Sequence, residues 1–154
     1  AGLPGGGKRV RRILLTHSAE RSGAFSRWLG RTSIELVEPL VGAGRPVLGG
    51  RYWGDLGFIH LCFDVRGMDA LKRECADRGF RFTVDSAESF DMGEAAGRFA
   101  YVEDPDGTLV ELVETHRLPV AKRMGWYLDL RRRPPGKPLP RVVVRALGLT
   151  RVRD

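Results

Sequence analysis

Cysteine is scarce in this chain: Cys62 and Cys75 are the two among 154 residues. That is too few for the disulfide framework of a small secreted domain. Long apolar runs are missing as well, and none approaches the roughly 20 residues of a membrane-spanning helix. The opening AGLPGGGKRV lacks the hydrophobic segment of a secretory signal. These absences predict a soluble, cytoplasmic protein with two free thiols and no membrane partner. From Arg131 onward the chain has no aromatic residue at all, so its basic run lacks the interleaved rings on which nucleic-acid bases stack.

The charge is unevenly spread. Residues 1–116 sum to −2, whereas residues 117–154 sum to +9, giving the chain its net +7. Charge blocks of this kind are commonly solvated tails, and the expectation is a basic extension without a nucleic-acid partner. At 154 residues the chain suits one domain with a real core.

What is present centres on Gly57 to His116. GFIHLCFDV alternates, with Phe58, His60, Cys62 and Asp64 on one face and Ile59, Leu61, Phe63 and Val65 on the other. That period-2 pattern predicts a half-buried strand. A helix fits Met68 to Arg78, with Met68, Leu71, Cys75 and Ala76 on one stripe and Gly79 as its stop. Phe82 and Val84 mark a short strand. Arg98–Glu103, the turn Asp104-Pro105-Asp106-Gly107 and Thr108–Glu114 read as a hairpin. The order is strand, helix, then three strands.

Part of that unit recurs upstream. Ser33-Ile34-Glu35-Leu36-Val37-Glu38 matches Leu109-Val110-Glu111-Leu112-Val113-Glu114, and Arg12 to Thr16 takes the place held by Arg98 to Val102. A repeat means one supersecondary unit used twice. Residues 1–45 are therefore read as the terminal hairpin of an incomplete first βαβββ module. Residues 46–118 form a complete module, and 119–154 a basic extension with a short helix from Arg141 to Leu149. The fold class is α+β, with a mixed, curled sheet shaped as a cup.

Three side chains on these strands carry the chemistry. Glu111 lies mid-strand among Leu109, Val110, Leu112 and Val113, where a carboxylate is costly to bury unless a cation or donors compensate it. Glu35 repeats the predicament, and His60 stands mid-strand among apolar neighbours. A shared divalent metal accounts for all three, since imidazole and carboxylate suit zinc, nickel, iron or cobalt. Glu38 and Glu114 have the opposite parity and read as exposed strand-end charges; His17 and His116 read as rim residues.

Over roughly residues 10 to 116 (a span read by motif alignment), the motifs GFIHLCFDV, DPDG with TLVELVE, and SIELVE resemble the vicinal-oxygen-chelate superfamily. That superfamily includes glyoxalase I, bleomycin-resistance proteins and extradiol dioxygenases, and the likeness is greatest to glyoxalase-type lyases. The resemblance implies that His60 and Glu111 are metal ligands on the first and last strands of the complete module. It makes Glu35 their equivalent from the other copy, with Glu35 and Glu111 also catalytic. Phe99 and Tyr101 match positions that line the substrate cup. The implied reaction moves a proton next to a metal-polarised oxygen of a small substrate, as in a lyase or epimerase. The alternatives are an antibiotic-binding protein without catalysis and an extradiol-type dioxygenase. The implied fourth ligand belongs to a strand with no counterpart before Arg9, so a second chain in a homodimer, an upstream module or water completes the cup.

Overall fold

The computed structural model of the protein describes residues 7–17, 23–42, 44, 46, 49–50, 55–86, 90–91, 96–121 and 124–148. Tyr52, Trp53 and most of the opening glycine-rich segment lie outside the described residues. The chain runs β1 (Val10–Thr16), β2 (Ser33–Pro39), β3 (His60–Asp64), α1 (Met68–Asp77), β4 (Phe82–Asp85), β5 (Phe90–Asp91), β6 (Ala96–Glu103), β7 (Leu109–Ala121), β8 (Trp126–Asp129) and α2 (Arg141–Gly148). The fold is α+β.

Two sheets are formed. β1 and β2 pair antiparallel as a two-stranded sheet. The second sheet has the order β3-β7-β6-β4, with β5 extending the pairing of β6 and β8 that of β7. β3 and β7 are parallel, and the remaining pairs are antiparallel, so the sheet is mixed. Strand, helix and three strands thus follow one another from His60 to Glu114 as the periodicity implies. The two-residue β5 is an addition that the sequence pattern does not signal.

Local chemistry fixes these elements. α1 ends where Gly79 adopts φ +88°, a left-handed conformation that favours glycine over residues with a Cβ. In the β6–β7 turn, Asp104 Oδ1 accepts hydrogen bonds from the amides of Asp106 and Thr108 at 2.9 and 2.8 Å. Gly107, at φ +80°, donates to the Asp104 carbonyl at 3.0 Å and closes the loop. The helix covers one sheet face. Met68, Ala100, Val102 and Leu112 are buried there, with Val65, Leu71, Phe82 and Val110 packed around them. Fully burying Met68 alone contributes about 2–3 kcal/mol.

The expectations for Glu114 and His116 are corrected. Glu114 has the parity of Val110 and Leu112, which is the helix face, and its carboxylate accepts the amides of Gly67 at 2.6 Å and Met68 at 3.3 Å. It therefore caps α1, whose own N-cap residue is a glycine without a side chain. His116 is buried, with Nε2 3.5 Å from Glu114 Oε2. Glu38 is exposed and pairs with Arg11.

β7 continues to Ala121, past the boundary drawn at residue 118, and β8 adds to it through Arg117↔Asp129 and Leu118↔Leu128. The start of the basic extension is thus part of the sheet. Leu139 is fully buried and its amide donates to the Ala24 carbonyl at 2.9 Å. α2 forms after Pro140 as expected. Among the described residues no helix is long and apolar enough to cross a membrane.

Candidate functional site

The face of the large sheet opposite α1 is set by strand register. Tyr101 pairs with Glu111, Phe99 with Val113, and Cys62 with Glu111 across the parallel ladder. Because alternate residues share a face, His60, Cys62, Phe99, Tyr101 and Glu111 stand together on the side opposite α1.

Their side chains meet. His60 Nε2 lies 3.0 Å from Glu111 Oε2, and the Tyr101 hydroxyl donates to Glu111 Oε1 at 2.8 Å. Both carboxylate oxygens of Glu111 are therefore engaged, in a side chain that is only 17% exposed. The rings pack edge-on, with centroids 5.6 Å apart for His60 and Tyr101 and 5.9 Å for Phe99 and Tyr101, an arrangement aromatic quadrupoles favour. The amide of Phe99 donates to Ser86 Oγ at 2.9 Å, which ties β6 to the end of β4.

Electrostatics follows from this crowding. Burial, then the hydrogen bond and charge of Glu111, push the Tyr101 phenol up to about 12. Burial and the same carboxylate push the Cys62 thiol up to about 11. At neutral pH both groups keep their protons, so Tyr101 is a donor and Cys62 a poor nucleophile. Sequence reasoning placed Cys62 on the His60 face but gave it no part; its partnership with Glu111 was legible from parity.

Comparisons with known proteins add the following. No family model matches the chain, and no curated protein matches it. Two solved structures are similar. One is a glyoxalase family protein from Bacillus cereus, at 20% identity and a TM-score of 0.41, over 54% of this chain and 53% of that one. The other is SMU.1112c, at 23% identity and a TM-score of 0.42, over 53% of this chain and 62% of that one. The chain thus spans about half the length of the first and less than two thirds of the second.

Glu35 is held elsewhere. It stands opposite Leu14 in the two-stranded sheet, and Arg12, two residues along on the same face, takes its carboxylate in an ion pair. That hydrogen bond, ahead of the smaller effects of burial and charge, lowers the Glu35 carboxyl below its ordinary range. Among the described residues no group of three His, Cys, Asp or Glu side chains is arranged to hold a metal ion. Two of the three expected ligands, His60 and Glu111, are brought together, and Glu35 is not brought to them.

Proposed function

We propose that this chain is a glyoxalase-like module in which His60 and Glu111 supply two ligands to a divalent metal and Glu111 moves a proton on a small substrate. The observation that supports this is the 3.0 Å approach of imidazole to carboxylate on the sheet face opposite α1, a donor pair suited to zinc, nickel, iron or cobalt. Two donors make half a protein shell. Glu35, on the other sheet, would add a third only after leaving Arg12, and a second copy of the chain or water would take what remains, since open positions are normal for a catalytic metal. A bound metal would polarise a substrate oxygen and so acidify the neighbouring C–H. Glu111 would accept and return the proton at Oε2, the oxygen that His60 contacts at 3.0 Å, while Tyr101 holds Oε1. Phe99 offers ring surface to the substrate, and Tyr101, itself buried, packs edge-on behind it. A reducing, cytoplasmic setting suits the free thiols of Cys62 and Cys75.

Cobalt(II) titration followed by visible absorption tests the reading. Saturable binding weakened at least about tenfold, or roughly 1.4 kcal/mol, in both His60→Ala and Glu111→Gln is the expected outcome. Binding unchanged in both variants overturns it. Arg12→Ala should tighten binding by releasing Glu35, and Glu35→Gln should weaken it.

A second reading draws support from the Arg12–Glu35 pair, which keeps the third carboxylate occupied. In it, the ring-lined face around Phe99 and Tyr101 binds a small aromatic compound without metal or catalysis. Stoichiometric metal in protein purified without chelators favours the enzyme, and ligand binding that is indifferent to chelator favours the binder.

A further inference from the structure

A second concavity lies on the other side of β7, apart from His60 and Glu111. β7 carries an irregularity where Ala96 pairs with Arg117 but Gly97 pairs with Thr115, which leaves His116 as the extra residue of a bulge. Bulges bend a strand and re-aim its side chains. The His116 carbonyl is taken by the amide of Leu130 at 2.8 Å, so the extension after β8 is tied to the bulge. Arg66, just before α1, donates to the carbonyls of Arg131 and Arg133 at 2.9 and 2.6 Å. The extension is thus pinned over the β3–α1 junction and forms one wall of an open cavity of about 230 Å³.

The polar groups lining this cavity divide into satisfied and unsatisfied ones. Glu114 is bound by two amides of α1 and lies beside His116. Arg131 is bound by Asp129, and Arg66 by the two carbonyls. Asp64, exposed at the end of β3, also lines the cavity; its carboxylate has no hydrogen bond or ion pair among the described residues, and partial burial followed by the charge of Glu114 raises it above the ordinary range. On the extension side stand Lys137, without an ion-pair partner among the described residues, and Arg133, whose buried Nε has no hydrogen-bond partner there. An acid and two cationic side chains therefore line one small cavity, and no ion pair joins them.

We propose that this cavity binds a small zwitterion, a free α-amino acid, with Asp64 receiving the ammonium and the side chains of Lys137 and Arg133 receiving the carboxylate. An ammonium relieves the repulsion between Asp64 and Glu114, and a carboxylate offsets the charge of Lys137 and Arg133, neither of which has an ion-pair partner among the described residues. The volume argues for the same class. It falls below the roughly 300 Å³ at which drug-sized pockets begin, which leaves room for a compact ligand. A metal ion is a poorer match, because the acidic wall supplies no group of three suitable ligands.

The test is thermal-shift and calorimetric titration of the full chain with each of the common α-amino acids, up to about 10 mM, above the millimolar affinity that a few charged contacts give. At least one should bind. Its decarboxylated amine and its deaminated acid should each bind about tenfold more weakly or worse. Asp64→Asn and Lys137→Met should each weaken binding about tenfold, while His60→Ala leaves it unchanged. Asp64→Asn is nearly isosteric and Lys137 is exposed, so both variants should fold. The proposal is overturned if no amino acid binds, if the amine or acid alone binds as well, or if Asp64→Asn and Lys137→Met bind like the parent.

Discussion

Tyr101 and Glu111 are direct cross-strand partners in β6 and β7, and the phenol of the first donates to the carboxylate of the second at 2.8 Å. The pair is nearly closed off from solvent, with Tyr101 itself 9% exposed. Its geometry therefore resists the water competition that weakens exposed hydrogen bonds.

Tyr101→Phe should cost about 1.5–3 kcal/mol at neutral pH, the range for losing a bond to a charged acceptor. The pH dependence has a defined sign. The folded phenol titrates near 12 against an ordinary value of 10.0, so the fold favours the protonated form. Its contribution is fully present below pH 10 and is lost as the pH rises towards about 12. Urea unfolding of parent and variant at pH 7 and pH 11 checks both statements. A variant as stable as the parent at pH 7 would mean that the hydroxyl does not hold Glu111.

Arg98 makes a buried clamp between sheet and helix. Its guanidinium donates to both oxygens of Asp85 at 2.8 Å and to Asp69 of α1 at 2.6 Å, with Lys72 also on Asp85 at 2.6 Å. Arg98→Ala leaves Asp85, only 19% exposed, without its main partner. Breaking such a buried pair typically costs about 3 kcal/mol. Arg98, then Lys72, hold the Asp85 carboxyl down to about 2. This contribution is present above pH 3.8 and disappears as the pH falls through about 2. Denaturation midpoints measured from pH 5 to pH 2 should fall for the parent and stay flatter for Arg98→Ala. Parallel curves would assign acid sensitivity to other carboxylates.

Much of this was legible because it is local. The alternation of GFIHLCFDV, Gly79 after the helical stripe and the Asp-Pro-Asp-Gly turn each report on a few neighbouring residues, and the elements form where those signals lie. Pairing of distant side chains was less legible. The repeat aligned Arg12 with Arg98 and thereby set Leu15 opposite Glu35, whereas the register puts Leu14 there. That slip of one residue turns Arg12 to the face of Glu35. Arg98 and Glu114 carried a usable signal, since each shares parity with apolar residues on the helix face. Continuation of β7 was concealed by Pro119, which stands opposite Tyr127 of β8 and, among the described residues, beyond the last β6 pair at Arg117.

Cys62 offers a reporter for the assembly of the site. Its thiol is raised to about 11, first by burial and then by hydrogen bonding and charge from Glu111, its partner across the parallel ladder. Only the thiolate attacks an alkylating agent. In metal-free protein held in chelator, iodoacetamide labelling of Cys62 should therefore be slow at pH 8 and should accelerate about tenfold per pH unit up to pH 11. Glu111→Gln removes the charge that opposes ionisation while leaving the burial in place. Labelling at pH 8 should then quicken several-fold, whereas Glu35→Gln, on the other sheet, should leave the rate unchanged. Mass spectrometry separates Cys62 from Cys75, which serves as the internal standard. An unchanged Cys62 rate in Glu111→Gln would place the carboxylate away from the thiol and undo the arrangement on which the proposed proton transfer depends.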